Sequence, residues 1–539
     1  MTVVRRLLVL VAFTVLPAVN SAFASASNIY ITQSGSPSGN CTANVQTPAF
    51  FNNSGNWGSG ASQIGPGTTV LICGTFNGTG GATEFSFQGS GTSGNPVTLK
   101  FDTGTQLTSP FWSANGAINC TNLSYIVVDG GTNGLIQNTA NGTSLANQQT
   151  STGFYGQNCT NSEVKNLTIS NIYVNQGSNS NASDTGGAGT VDIVFNANAT
   201  NSKVDHDTVS QAKTAIQFAG DPGGDASNIQ IFSNSISDMD WGINVGGGDS
   251  GDTFNNVSIY DNTITNWTNW QFPTGSYHQD GIILFNVGNP SAGINANIYN
   301  NYIYGNLGVG SPTGFIYCAD FSSCTIYNNA LVNTSNVIYG LMWLGQSSNM
   351  GHNMNVYNNT IVGATSQDVC IMLNITGTAS IENNVCTGPS GMFAYNTYWG
   401  SLSQFEATVA TSNYNDWNVG GNAWGSQANG ATASFSTWTS AGYDANSKQS
   451  NPDLNSNPYT LQSGSPAIGL GTNLTSLGLT ALDTGAPQTF GPSGSCGNDC
   501  LSRPSSGNWD AGAYPFSSSS VGTGATPPAP PTDLTATVH

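Results

Sequence analysis

The residues best suited to acid–base chemistry lie in the segment Tyr277–Asp280, a dense group of titratable side chains on a predicted strand edge. Asp240 occupies a similar place one repeat earlier. Two carboxylates about 5–5.5 Å apart can hydrolyse a glycosidic bond, one donating a proton and the other acting as nucleophile. We therefore predict Asp240 and Asp280 as catalytic residues, with His278 tuning the pKa of one of them. The alternative is that these aspartates are turn residues bonded to nearby backbone N–H groups.

Lys213 aligns with Asp240 and Gln279 in the repeat and is predicted to contact substrate. The same residues suggest a second chemistry, a calcium-dependent polysaccharide lyase. A lysine with a lowered pKa can remove the proton beside a uronate carboxylate, while Asp192, Asp240 and Asp280 supply oxygen ligands for Ca²⁺. The alternative role for Lys213 is an ion pair with Asp240. Calcium is the one cofactor that the sequence suggests, and only for this reaction.

A long insertion precedes the titratable segment and carries Trp267, Trp270 and Phe272. Because aromatic rings stack on sugar rings, we predict that Trp267 and Trp270 contact substrate along a groove. Exposed aromatic side chains, including Tyr398 and Trp399, also suit a protein that binds glycans without cleaving them. The non-catalytic alternative is therefore an extracellular glycan-binding or structural protein.

The elements that must position these residues form a tandem repeat. A segment of the type Ile-Tyr-Asp-Asn-Thr-Ile recurs six times with spacings of 25 to 39 residues, and its second Asn falls at positions 234, 262, 301, 329, 359 and 384. Self-similar units of this length are typical of a solenoid. Each unit has two short strands on either side of a polar corner, and an Asn at the same corner of every coil can hydrogen-bond to its neighbours above and below.

A third strand follows each corner, as in Gly242–Val245 and Gly281–Leu284, and no helical periodicity is sustained over three turns. The sequence therefore predicts an all-β, right-handed parallel β-helix with three strands per coil and an Asn ladder. Aligning the third strands places Lys213, Asp240 and Gln279 in one column and Thr214, Trp241 and Asp280 in the next.

Charge excludes several classes of partner. The chain has 8 basic and 27 acidic residues, a formal net charge of −19. Such a surface does not bind nucleic acid or an anionic membrane by releasing counterions, and it repels an acidic polysaccharide unless a cation bridges the two. We expect a polysaccharide partner, no nucleic acid, no membrane insertion and a monomer.

The first 26 residues have the pattern of a secretion signal. Arg5 and Arg6 precede the apolar run 7–19, and small residues at 24–26 provide a cleavage site. Secretion allows disulfides, and the ten cysteines fall into neighbouring pairs. We predict the bonds Cys41–Cys73, Cys120–Cys159, Cys318–Cys324, Cys370–Cys386 and Cys496–Cys500.

The repeats resemble the right-handed parallel β-helix repeats of the pectate-lyase-like superfamily over roughly residues 110 to 400. Ser465–Ile468 and Trp509–Tyr514 resemble the closing module of secreted bacterial β-helix proteins, with Gly469 and Pro515 in place of the usual acidic residues. The motifs D-D, G-H-G and R-x-K of polygalacturonases do not occur. The resemblance implies a secreted polysaccharide-active protein, and glycoside hydrolysis of a neutral or weakly acidic glycan is the first expectation.

The expected organisation has five parts. It is a signal peptide at 1–26, an N-terminal cap with the first coils at 27–110, a β-helix core at 111–400, C-terminal coils with the closing module at 401–516, and a Ser/Gly/Pro-rich tail at 517–539.

Overall fold

The computed structural model describes residues 28–140, 149–173, 190–220, 223–247, 251–268, 278–285, 295–307, 311–319, 321–334, 341–345, 353–363, 369–375, 377–393, 401–426, 429–456, 459–479, 482 and 503–516. The predicted signal peptide, the tail and the pair Cys496–Cys500 lie outside these residues. In the described part of the chain, no helix is long and apolar enough to cross a membrane.

The described residues form mainly short strands, with three short α-helices, α1 (Pro48–Phe51), α2 (Leu402–Glu406) and α3 (Phe435–Ser440), and two 3-10 helices, Ser54–Asn56 and Thr475–Leu477. The strands up to residue 246 are β1 (Ile29–Ile31), β2 (Thr69–Ile72), β3 (Thr75–Asn77), β4 (Phe85–Ser86), β5 (Val97–Phe101), β6 (Gln106–Ser109), β7 (Ile118–Thr121), β8 (Ile126–Asn138), β9 (Thr152–Gln157), β10 (Glu163–Ser170), β11 (Val191–Asn196), β12 (Lys203–Asp205), β13 (Thr208–Ser210), β14 (Thr214–Ala219), β15 (Gln230–Phe232), β16 (Ser235–Met239) and β17 (Trp241–Gly246).

The later strands are β18 (Val257–Tyr260), β19 (Thr263–Trp267), β20 (His278–Leu284), β21 (Asn295–Tyr299), β22 (Tyr302–Gly305), β23 (Ser311–Cys318), β24 (Ser323–Tyr327), β25 (Ala330–Asn333), β26 (Met342–Leu344), β27 (Asn353–Tyr357), β28 (Thr360–Val362), β29 (Val369–Leu373), β30 (Ala379–Glu382), β31 (Val385–Thr387), β32 (Gly391–Phe393), β33 (Val409–Asn413), β34 (Asp416–Asn418), β35 (Asn422–Gly425) and β36 (Thr432–Ser434).

Strand pairing confirms the predicted fold class, a parallel β-helix with three strands per coil. The first and second strands of the coils form a 23-stranded first sheet, and the third strands form a 13-stranded second sheet. Each strand pairs in parallel with the equivalent strand of the next coil, as β15 does with β18 and β18 with β21. The antiparallel pair of β35 with β36 is at the end of the second sheet. Coils that advance in this way take the right-handed crossover.

The core is a set of apolar columns inside the coils. Ile231, Ile259 and Ile298 align in the first strands, and all three are fully buried. Ile243 and Ile282 align in the third strands and are also fully buried. Alternating side chains put one face of each strand inward, so stacking builds a continuous interior from coils that could not bury an apolar face alone.

The Asn ladder is confirmed and is longer than predicted. The side-chain oxygen of Asn329 accepts hydrogen bonds from the backbone N–H and the amide of Asn301 at 3.0 Å each. The Asn301 amide also donates to the Ile259 carbonyl at 2.9 Å. The pattern continues past the last predicted rung to Asn415, which accepts from the Asn384 amide at 3.0 Å. These bonds satisfy amides that would be costly to bury alone.

At the start of the ladder stands an acid, Asp207, which is 1% exposed. Its Oδ1 accepts the Leu167 N–H at 2.7 Å, and its own N–H donates to the Asn234 side chain at 3.0 Å. Burial, with smaller contributions from nearby carboxylates, raises its pKa well above the usual range.

The residue before each rung turns the corner in the left-handed backbone region. Asp261, Asn300 and Asn328 have φ values of 56°, 55° and 55°. Asn and Asp tolerate this conformation better than other residues with a side chain, which explains why two polar residues recur at every corner.

Four of the five predicted disulfides are formed. Cys41–Cys73, Cys120–Cys159, Cys318–Cys324 and Cys370–Cys386 have Cα–Cα distances of 6.1, 5.9, 6.8 and 6.2 Å. The first two join one coil to the next, and the fifth predicted bond lies outside the described residues.

The two motifs of the predicted closing module lie against each other and against the outside of the coils. The Ala511 N–H donates to the Ala467 carbonyl at 3.0 Å, and Gly471, just after the first motif, exchanges backbone hydrogen bonds of 2.7 and 2.9 Å with Trp509. Gly512 donates its N–H to the Asn383 carbonyl at 2.7 Å. Strand pairing is continuous across residue 110, where β6 pairs with β8.

Candidate active site at the corner before the second sheet

The predicted alignment of Lys213, Asp240 and Gln279 is present at the corner that leads into the second sheet. The backbone N–H of Asp240 donates to the Lys213 carbonyl at 3.1 Å, and Asp280 N–H donates to the Asp240 carbonyl at 3.1 Å. The adjacent column, Thr214, Trp241 and Asp280, is also in register. We call Lys213, Asp240, Trp241, Gln279 and Asp280 the corner cluster.

Lys213 is a buried basic residue in this cluster, with 8% of its surface exposed. Its Nζ lies 4.8 Å from the centroid of the Trp241 ring, a cation–π geometry. Burial lowers the pKa of Lys213 to about 8, and the nearby Asp240 charge partly opposes this. An amine that titrates so close to neutral pH can accept or donate a proton under physiological conditions.

Asp240 and Asp280 lie on neighbouring coils but in adjacent columns. Asp240 is 1% exposed and accepts a hydrogen bond from the Gln279 amide at 3.2 Å. Asp280 is fully buried, and its Oδ1 accepts the Thr313 hydroxyl and the Gly314 N–H. Thr313 is the extra residue of an irregularity where β20 pairs with β23. Each carboxylate is thus held by a residue of the following coil.

The sequence predicted that Trp267 contacts substrate in the wall of a groove, but the structure places it inside the coil. It is 4% exposed and packs against Phe315 with ring centroids 5.4 Å apart. Its indole N–H donates to the Asp280 carbonyl at 3.0 Å. The correction has a simple cause, since Trp267 pairs with the buried Met239 as the last residue of β19. It therefore supports the backbone of Asp280 from inside the coil.

The three proposed calcium ligands do not converge. Asp192 belongs to β11, and β14 and β17 separate it from Asp280 in β20, roughly 14 Å at the strand spacing of parallel sheets. Asp192 is fully buried, and neither of its oxygens has a hydrogen-bond partner among the described residues. Burial raises its pKa well above the usual range, so it is a poor anionic ligand. Within the described residues, no group of three or more His, Cys, Asp or Glu could hold a metal ion.

Other predicted site residues lie wholly or partly outside the described residues. His278 begins β20, where its backbone pairs with Ser311, but nothing is described of its side chain. Trp270, Tyr398 and Trp399 lie outside the described residues. The half-exposed Trp241, in contrast, was not predicted as a site residue, although the sequence alignment of the coils already placed it in one column with Asp280.

No protein-family model and no curated protein sequence matches this chain. Among solved structures, the chain is similar to the pectate lyase Pel9A, with a TM-score of 0.44 and 14% identity over 83% of this chain and 92% of that one. It is also similar to a mannuronic-acid-specific polysaccharide family 6 lyase from human gut microbiota, with a TM-score of 0.38 and 9% identity over 74% and 88% of the two chains.

A third similar structure is the catalytic unit of a GH87 α-1,3-glucanase from Streptomyces thermodiastaticus, with a TM-score of 0.38 and 13% identity over 61% of this chain and 60% of that one. Similarities of this size assign no activity. The conclusion that the chain is a parallel β-helix follows from its own strand register.

Proposed function

We propose that the protein is a secreted, polysaccharide-active β-helix protein that hydrolyses a glycan at the corner cluster. The observation that carries the proposal is the placement of Asp240 and Asp280 on adjacent coils beside a buried lysine. The Asp280 N–H donates to the Asp240 carbonyl at 3.1 Å, which places the two residues on neighbouring coils, and retaining hydrolysis requires their carboxyl groups to lie about 5–5.5 Å apart. The four disulfides suit an oxidising extracellular compartment.

In this mechanism Asp240 is the ionised carboxylate, because the Lys213 ammonium favours its charged form. Asp280 is the second carboxyl group of the pair, and the Thr313 hydroxyl and the Gly314 N–H fix its orientation. A neutral or weakly acidic glycan is the expected substrate, because the net charge of −19 repels a polyuronate.

The test is a screen of neutral and uronate polysaccharides for new reducing ends and for unsaturated products, with calcium and with a chelator. We expect Asp240→Asn and Asp280→Asn each to lower hydrolysis at least about 100-fold, the usual contribution of a positioned acid or base. Asp225→Asn, outside the cluster, is the matched control. If both cluster variants retain wild-type activity, the site is wrong.

A second candidate, β-elimination, is favoured by the lowered pKa of Lys213, which suits a base that removes a proton beside a carboxylate. The pH profile separates the two reactions. A base must be neutral, so elimination would rise with pH and level off above about 8. Hydrolysis that depends on the Lys213 ammonium would instead fall as the pH passes that value. Absence of any cleavage, with binding retained, would leave the glycan-binding alternative.

A further inference from the structure

A cleft on the outer face of the second sheet, several coils before the corner cluster, has an unusual lining. Its volume is about 390 Å³, and seven residues line it, Thr83, Ser86, Asn115, Asn119, Thr121, Tyr155 and Gln157. None of them is an Asp, Glu, Lys, Arg or His, although the chain has 27 acidic residues. We call this the amide cleft.

Strand register shows how the floor of the amide cleft is built. Asn119 of β7 pairs with Tyr155 of β9, and Thr121 pairs with Gln157. The residues that alternate with these positions point inward, as Cys120 and Phe154 do with 0% and 1% exposure. The floor therefore consists of two parallel columns of outward side chains, about 4.8 Å apart from coil to coil.

Hydrogen bonds and a disulfide hold the side chains and strands of the cleft in place. The Tyr155 hydroxyl donates to Gln157 Oε1 at 2.7 Å, and the Asn196 amide donates to the same oxygen at 2.8 Å. Beneath the floor, the disulfide Cys120–Cys159 joins the end of β7 to the turn after β9. A rigid aromatic ring and fixed amides lose little conformational entropy on binding, which favours affinity.

We propose that the amide cleft is an accessory subsite for an uncharged saccharide. Amides and hydroxyls can exchange hydrogen bonds with sugar hydroxyls, and the half-exposed Tyr155 offers an amphipathic surface to a sugar ring. The lining has no cation that would attract a uronate carboxylate. The volume lies within the usual range of roughly 300–1,000 Å³ for small-ligand sites.

The position of the amide cleft relative to the corner cluster extends the proposed function. The assignment of a glycan as its ligand rests on that proposed function. Tyr155 lies in β9, and β11 and β14 separate it from β17, which begins beside Asp240. Tyr155 is in register with Asn244, so the cleft is roughly 14 Å from the corner cluster along the axis of the coils and about four residues, roughly 13 Å, further along the strands. A linear chain of a few sugars can therefore contact both, so the cleft would set the preference for longer, uncharged substrates.

The experiment measures binding to the full-length protein by calorimetry, with hexasaccharides of β-linked glucose, xylose and mannose and with a galacturonate hexasaccharide. The Asp240→Asn variant prevents turnover. We expect at least one neutral hexasaccharide to bind, and Tyr155→Ala to weaken that binding about tenfold or more, with a smaller loss for Tyr155→Phe. Tyr30→Ala is the control, and circular dichroism verifies that each variant is folded.

The outcomes separate this proposal from the catalytic one. Binding that depends on Tyr155 supports the subsite even if no polysaccharide is cleaved. The proposal is overturned if no neutral hexasaccharide binds, if galacturonate binds better than all of them, or if Tyr155→Ala and Tyr155→Phe both bind like wild type. If a polysaccharide is cleaved and Tyr155 contributes nothing to binding, the proposal for the corner cluster stands and the proposal for the subsite is overturned.

Discussion

At the residue scale, two lysines show how burial and pairing compete. Burial lowers the pKa of Lys165, but Glu163, at 2.9 Å, offsets this and leaves a net increase. Lys213 is more deeply buried, and Asp240 opposes only part of the shift, so its pKa falls to about 8. A charged residue whose burial lowers the stability of the folded protein is typical of a functional site.

Lys213→Met is expected to stabilise the protein near neutral pH. The folded-state pKa lies below the unfolded value near 10.4, so the unfolded chain binds more protons between about pH 8 and 10, and wild-type stability rises there. Below pH 8 the full cost of burying the ammonium remains, up to about 3 kcal/mol. Thermal unfolding should show a higher midpoint for Lys213→Met at pH 7 and a smaller difference at pH 10.

Lys203→Met, which replaces a lysine outside the corner cluster, is the control for Lys213→Met. This variant should show no such pH-dependent gain. A Lys213→Met protein that is less stable than wild type at pH 7 would mean that the Trp241 and Asp240 contacts outweigh burial of the charge.

At the element scale, the ladder depends on a side chain that both donates and accepts at every rung. Asn301 accepts from Asn262 and donates to Asn329, each at 3.0 Å. Such a chain of bonds is strong when complete and costly when one partner is missing. Asp207 is the exception, because a carboxylate can accept but not donate.

Asp207→Asn is therefore expected to stabilise the β-helix at pH 7 and much less at pH 4. The pKa of Asp207 is raised in the folded state. Its contribution to the free energy of unfolding is therefore favourable only at low pH, and it is lost as the pH rises and the carboxyl group ionises in the folded protein. An Asn would donate to Asn234 as the later rungs do. Unfolding midpoints at the two pH values measure the effect, with the exposed Asp453→Asn as control. An equal shift at both pH values would exclude ionisation of Asp207 as the cause.

At the scale of the whole molecule, one buried arginine fastens the closing module to the coils. Arg503 is 1% exposed and donates to Asn328 Oδ1 at 2.8 Å and to the Gly512 carbonyl at 2.9 Å. Trp509 of the module packs with Tyr327 and Tyr357, which are 2% and 6% exposed. The module thus covers aromatic side chains on the outside of the coils.

Arg503→Ala should loosen the module without unfolding the coils. Loss of the guanidinium leaves buried carbonyl groups unpaired, at about 1–3 kcal/mol each. Limited proteolysis is expected to cleave the segment 454–516 faster than in wild type, and a hydrophobic dye should bind the uncovered aromatic surface. Lys448→Ala removes an exposed contact to the Pro466 carbonyl and should have little effect. Identical proteolysis of both variants would contradict the role of Arg503.

The sequence by itself determined the coils, because strand, corner and ladder residues repeat with the period of the structure. The rungs from Asn234 to Asn384 and the corner alignment of Lys213 with Asp240 could be predicted from spacing alone. Asn415 was missed because its segment, Tyr414–Trp417, departs from the repeated pattern. Four disulfides were predictable because each joins two cysteines that follow one another in the order of cysteines along the chain.

Only the tertiary structure decided which side of the coil each site residue faces and how deeply it is buried. Trp267, Asp192, Asp240 and Asp280 look like exposed site residues in the sequence, yet stacking of neighbouring coils encloses all four. Lys213 owes its lowered pKa, and Tyr155 its place in the amide cleft, to residues of other coils. Burial and electric field depend on atoms brought together from distant parts of the chain, and local sequence carries no record of them.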